Sequence, residues 1–335
     1  MGFVIMQPTL VLDIKNMEPN VNTTRESDKC LKPVLSPYLA LAFAILAVSA
    51  SAIFIRLAQG DAPSLVIAAY RLLFATLILA LPAWVQTKNE IRKLDRKTWL
   101  LLLLSGLFLA IHFGSWISSL EYTSIASSVV IVTTSPLWVA ILTPLILKEK
   151  IPVLVRWGLG IAMMGGILVG GAQSIIGAQG VDLQAFNSKQ VLFGQFLALM
   201  GAVFVAGYLL IGRFLRQTIS LVSYTFLVYG FAAVFLLMLV GILRLPMGGY
   251  QPKTYLLFAA MAIFPQLMGH STFNWALKYL PAVVIAVATL GEPVGATLLG
   301  YLVLGETPHW LEGIGGLVIL TGILIASIGN QAKKD

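Results

Sequence analysis

The feature that most constrains this chain is a succession of ten apolar stretches, each as long as a membrane-crossing helix and joined by short polar connections. A helix needs about 20 mostly apolar residues to cross the hydrocarbon core. Residues 37–58, 63–85, 98–120, 123–147, 153–172, 190–212, 219–243, 255–278, 281–304 and 310–329 each supply them. Lipid offers no partners to backbone polar groups, so such stretches must satisfy their own hydrogen bonds as helices. The expected fold class is an all-α polytopic membrane protein with ten transmembrane helices. Charge content agrees: only 11% of residues are charged, against about 25% in soluble domains, too few to cover a water-soluble globule. Turn chemistry marks several joins, at Gly60-Asp61-Ala62-Pro63, Tyr279-Leu280-Pro281 and Glu306-Thr307-Pro308. The connections 86–97 and 173–189 are longer, and the second divides the chain into halves.

The net charge of +8 could suggest a nucleic-acid partner, but its placement excludes one. With the N-terminus cytoplasmic, 17 of the 22 Lys and Arg fall in the tails or in connections on the same side, among them Lys88, Arg92, Lys93, Arg96 and Lys97. Only Lys189, Arg244 and Lys253 fall on the other side, and Arg56 and Arg71 lie at or within helices. This is positive-inside sorting, and it puts both termini in the cytoplasm. A plasma membrane, the inner membrane of a bacterium, is the default location, because no address motif is present. Residues 1–35 read as a polar, disordered cytoplasmic tail and 330–335 as a short C-terminal one. The apolar run before Asp13 is too short to span and lacks a cleavage site. Met6 stands where a myristoylation signal needs Ser or Thr. The single cysteine, Cys30, permits no intramolecular disulfide and no cysteine-based metal site.

The second half repeats the first. At an offset of 157, Leu120 and Tyr122 meet Leu277 and Tyr279, Pro136 meets Pro293, Glu149 meets Glu306, and Gly158 and Gly165 meet Gly315 and Gly322. Leucine matches are cheap between apolar segments, but proline, glutamate and two glycines at one offset are not. The repeat unit is five helices. Five is odd, so the second copy enters the membrane from the opposite face. Two such halves can exchange conformations and turn an inward-open form into an outward-open one.

With these residues in hand, the chain resembles the drug/metabolite transporter superfamily, specifically ten-helix members with two EamA repeats. The resemblance covers residues 37–172, helices 1–5, and 190–329, helices 6–10. It rests on Tyr70-Arg71-Leu72-Leu73-Phe74-Ala75, on Ser135-Pro136-Leu137 with Leu145-Ile146-Leu147-Lys148-Glu149, and on Glu292-Pro293-Val294 with Leu302-Val303-Leu304-Gly305-Glu306. It implies export or exchange of amino acids, related metabolites or drugs.

Candidate substrate-binding residues follow from the cost of polar groups in hydrocarbon. Glu292 sits near the middle of helix 9, and a carboxylate there costs about 2.5–3.5 kcal/mol on insertion scales. It must face protein or a watery cavity, where it could bind a substrate amine, carry a coupling proton, or pair with Arg71. Arg71 in helix 2 keeps its charge and suits a carboxylate; an internal salt bridge is the alternative. Gln266, His270 and Asn274 recur every four residues in helix 8 and share one face. That stripe lines either a cavity or a helix–helix contact. His112 and Trp116 repeat the spacing in helix 3. Pro136 and Pro293 remove backbone donors within their spans and are the candidate gating or helix-break positions. Gly166 with Gly170, and Gly291 with Gly295, offer faces for close helix packing, for sliding or for a homodimer contact.

No ATP-binding glycine loop is present, and no cofactor or metal is expected. Secondary transport of a small solute across the bilayer is the leading function, with protons as the candidate coupling ion. An intramembrane enzyme would need a clustered nucleophile and base, and a non-transporting receptor or assembly subunit has no need of the inverted repeat.

Overall fold

The computed structural model describes residues 35–123, 125–177, 188–299, 301–302 and 309–331, with side chains at all of these except 125–127, 170–177 and 188. The expected tails, apart from residues 35 and 330–331, the 178–187 portion of the long connection, and Glu306-Thr307-Pro308 lie outside the described residues. So does the surrounding of Gly170.

Every regular element among the described residues is helical. In chain order the spans are α1 (Pro37–Gln59), α2 (Ser64–Arg92), α3 (Arg96–Tyr122), α4 (Ile125–Val132 with Ser135–Ile146), α5 (Val153–Gly177), α6 (Ser188–Leu215), α7 (Leu221–Ile242), α8 (Pro252–Ala276), α9 (Ala282–Leu299) and α10 (Trp310–Gln331). Nine of these have the length and hydropathy of a membrane span among the described residues, and α5 adds the shorter apolar stretch Val153–Val169. The charged connection expected at 86–97 is mostly helix: α2 runs on to Arg92, α3 starts at Arg96, and only 93–95 turns. Asp95 caps α3 by accepting from the Thr98 N–H at 3.1 Å, as Ser220 caps α7, which is why the chain re-enters helix at once.

Contacts at the helix ends fix the up-and-down course of the chain. Near the end of α2, Glu90 accepts from the Ser223 hydroxyl at the start of α7, at 2.6 Å. Before the start of α2, Asp61 accepts from the Thr254 hydroxyl at the start of α8, also at 2.6 Å. One end of the bundle therefore gathers the connections 93–95, 147–152, 216–220 and 277–281, with Lys93, Lys148, Lys150 and Lys278. We call it the basic end; the connections 60–63 and 243–251 lie at the opposite end.

Helix pairing obeys the repeat. The most extensive contacts are α5 with α10, α3 with α6, and α2 with α7. Replacing each helix by its counterpart five places on maps α5–α10, α2–α7 and α4–α9 onto themselves. The same exchange turns α3–α6 into α8–α1 and α4–α6 into α9–α1, and all of these pairs exist. The two repeats are thus related by a pseudo-two-fold axis and interlock.

The α5–α10 crossing shows why its glycines recur. A Cβ built on Gly158 would lie 2.5 Å from the Gly322 carbonyl oxygen, and one on Gly165 2.7 Å from that of Gly315. Each glycine of one repeat is pressed against the equivalent pair of the other, so no side chain fits. Gly291 and Gly295 pack against Ile45 and Ser49 of α1. Gly166 meets nothing nearer than a Leu290 methyl at 4.0 Å and holds no tight contact.

Candidate functional site

Helices α4 and α9 are interrupted at equivalent places. The first breaks at Thr133-Thr134 and resumes at Ser135; the second breaks at Leu290-Gly291 and resumes at Glu292. Pro136 and Pro293 are each the second residue of the resumed helix. There the missing N–H is one that no intrahelical carbonyl would accept, so proline is tolerated. The interruption falls just before each of the two prolines singled out in the sequence as helix-break positions, and a new helix follows. Each resumed half-helix begins near the bundle centre, its positive dipole end facing whatever lies there.

What lies there is a small cavity of about 70 Å³. Four pairs of its lining residues stand 157 positions apart: Val48 and Val205, Trp116 and Phe273, Val132 and Thr289, Ser135 and Glu292. The cavity therefore sits on the pseudo-two-fold axis, where the repeats face each other. A larger recess of about 730 Å³ lies between α3, α6 and α7, but its walls are mostly Leu, Ile, Met and Phe, and Glu121 is its only charged residue. It contains none of those pairs, and the central cavity is the better candidate.

Five of the seven binding candidates border the central cavity: Arg71, His112, Trp116, His270 and Glu292. The Arg71 side chain is fully buried. Its Nε donates to Gln266 Oε1 at 2.8 Å and its Nη1 to Ser51 Oγ at 2.9 Å. The guanidinium also lies 4.1 Å above the centre of the Phe113 ring, a cation–π contact that steadies a desolvated charge. Arg71 and Glu292 do not form an ion pair: Glu149 with Arg213 is the sole salt bridge among the described residues. The Glu292 carboxylate accepts no hydrogen bond from any described residue, although its backbone carbonyl accepts from Ser49 Oγ at 3.0 Å.

His112 Nδ1 lies 2.8 Å from the Gly201 carbonyl oxygen. A carbonyl can only accept, so Nδ1 carries a proton, and Nε2 is the ring nitrogen not engaged by that carbonyl. The ring stacks on Trp116, centroids 6.0 Å apart and 11° from parallel. The Trp116 indole N–H is buried without a partner, an arrangement that costs free energy until an acceptor arrives. His270 is wedged edge-on between Phe113 and Phe273.

Gln266 and Asn274 are fully buried away from the cavity. Gln266 holds Arg71, and Asn274 Oδ1 accepts from the Tyr208 hydroxyl at 2.8 Å while its amide reaches the Tyr229 hydroxyl at 3.2 Å. The polar stripe of α8 is thus divided between cavity and helix contacts. One reason is that 262–270 winds as a π-helix around Pro265, whose ring cannot be accommodated in a regular α-turn. Sequence reasoning missed Ser51, Thr133, Ser135 and Thr289, all at the cavity. The signal was available: the offset of 157 applied to Glu292 gives Ser135.

Two inverted five-helix repeats, each with an interrupted helix ending at a shared cavity on their axis, define a membrane-transporter architecture. The sequence profile of the EamA-like transporter family matches residues 35–171 and 192–328, and the chain belongs to that family. It is 25% identical over 297 residues to an uncharacterized transporter of Archaeoglobus fulgidus, covering 87% of this chain and 96% of that protein. It is 22% identical over 304 residues to the uncharacterized transporter YetK of Bacillus subtilis, covering 90% and 89%. One solved crystal structure, 17% identical, superposes with a TM-score of 0.72 over 89% of this chain and 99% of its own, which shows the shared fold.

Proposed function

We propose that this transporter carries a small zwitterion, an amino acid or close relative, out of the cell or in exchange, by alternating access of the central cavity. The observation that carries the reading is that Arg71 and Glu292 border one cavity without pairing with each other. A cation and an anion that border one cavity beyond ion-pair distance complement a solute bearing both charges. Glu292 receives the amine. Arg71, with N–H groups beyond the two held by Ser51 and Gln266, receives the carboxylate, assisted by the Trp116 indole N–H. At about 70 Å³ the cavity is smaller than the roughly 300 Å³ of a ligand site, so this is a closed form and the repeats must part to admit solute. The basic end faces the cytoplasm, on the charge sorting of the connections, and the plasma membrane is the default location. No serine hydroxyl bonds a histidine ring among the described residues, Ser115 reaching only the His112 backbone carbonyl, which favours binding over covalent chemistry.

Reconstitution into liposomes tests this. Saturable flux of amino acids, competed by other zwitterions and not by their amides or N-acyl derivatives, is the expected result. Flux competed equally by those derivatives would remove the zwitterion reading, and no saturable flux of any solute would remove the transporter mechanism. Glu292 is also the group placed to carry a coupling proton; transport that persists in Glu292→Gln without pH dependence would remove that role.

A further inference from the structure

We infer that Glu149 and Arg213 form a latch between the two repeats that holds the basic end shut and sets how often the cavity is exposed there. The inference rests on the alternating-access reading above. Glu149 lies in the connection from α4 to α5, in the first repeat, and Arg213 in the last turn of α6, in the second. The Nε–Oε1 distance is 3.1 Å, and this is the sole ion pair among the described residues. The same guanidinium donates Nη1 to the Leu277 carbonyl at the end of α8, at 2.8 Å. One side chain therefore ties together the ends of α4, α6 and α8.

The position is directed at the cavity. Val205 and Leu209 line it from α6, and Arg213 continues that spacing of four, one turn nearer the basic end. Phe273 lines it from α8, and Leu277 stands four residues further on. The latch thus caps the faces that a solute would have to pass between.

The turn that delivers Glu149 is strained. Lys148 has φ of +54°, a left-handed conformation that costs a residue with a Cβ and persists where surrounding contacts enforce it. At the offset of 157 the second repeat has Gly305 and Glu306 in place of Lys148 and Glu149, and Arg56 stands in the same relation to Arg213. The residue types of the latch therefore recur in sequence, although 305 and 306 lie outside the described residues. The two partners are 18% and 32% exposed. An ion pair so accessible to water is weak, which suits a contact that must break in every cycle.

The test is thiol labelling from the basic side of sealed vesicles with a membrane-impermeant maleimide. The cavity-lining Val132→Cys serves as the target in a Cys30→Ser background. Glu149→Gln should raise the labelling rate by about 1.5- to 5-fold, the range expected from a contact of this exposure. Exchanging the charges, with Glu149→Arg and Arg213→Glu together, should return it part of the way, because a carboxylate at 213 cannot donate to the Leu277 carbonyl as the guanidinium does. An unchanged rate in Glu149→Gln, or an exchanged pair as fast as the single variant, would overturn the latch. Should Glu149→Gln not fold, the parent protein decides the matter alone. Raising salt from about 0.01 M to about 1 M shortens the screening length from roughly 30 Å to 3 Å and should speed labelling, and a salt-independent rate overturns the proposal. No solute enters this readout, so failure to find flux would sink the transport reading and leave the latch to be judged by labelling.

Discussion

Ser135 and Glu292 occupy equivalent places in the two repeats, each the first residue of a resumed half-helix and each bordering the same cavity. The pair differs by one carboxylate, so the site's negative charge comes from one repeat only. A charge-assisted hydrogen bond contributes about 1.5–3 kcal/mol, and Glu292→Gln should lower solute affinity about ten- to a hundredfold, read as KM in a liposome flux assay. Moving the carboxylate across the axis, with Ser135→Glu and Glu292→Ser together, should recover part of that loss.

Arg71 is held by Ser51, Gln266 and the Phe113 ring. Gln266→Leu removes the acceptor of a buried charged donor, and stranding such a group costs about 1–3 kcal/mol. The unfolding midpoint in detergent should fall accordingly, and fall further when Ser51→Ala is added. Arg71→Lys should not restore transport, because an ammonium cannot reproduce the fork that reaches α1 and α8 together.

The α5–α10 crossing permits a paired comparison. Gly158→Ala pushes a methyl group into the Gly322 carbonyl, and such overpacking costs about 1–3 kcal/mol. Gly166→Ala meets nothing within normal contact except Leu290 at 4.0 Å and should leave the unfolding midpoint unchanged or raise it slightly. Equal loss from both would mean that the helices are not in this register.

At the end opposite the basic one, the Thr254 hydroxyl and the Gln251 N–H hold the Asp61 carboxyl below its usual value of 3.8. A group whose pKa is depressed on folding stabilises the protein above its unfolded pKa, and that contribution fades as pH falls through the folded value. Asp61→Asn should therefore lower the unfolding midpoint at pH 7 and remove part of its decline below about pH 4. Parallel midpoint curves for the two proteins would show that the Asp61 bonds are not formed.

Much of this architecture was legible before any coordinates. Hydropathy reports depth in the bilayer, so spans such as α2 and α7 could be read from length and composition. The offset of 157 joined Pro136 to Pro293 and Gly158 to Gly315 because each has a backbone role that few residues can fill. Azimuth was harder. The same stripe of α8 sends His270 to the cavity and Gln266 and Asn274 to neighbouring helices, since polar periodicity does not say which neighbour a face meets. The π-helical winding around Pro265 leaves no signature beyond the proline itself. The pairing of Glu149 with Arg213 depends on which ends meet across the axis, information held in packing between distant spans.

The central claim is that the cavity between the repeats is exposed to each side of the membrane in turn. Its most direct test is the reactivity of Val205→Cys, in the Cys30→Ser background, toward an impermeant maleimide added to either face of sealed vesicles. The account predicts labelling from both faces, slowed on both by a transported amino acid. Labelling from one face only, indifferent to solute, would contradict it.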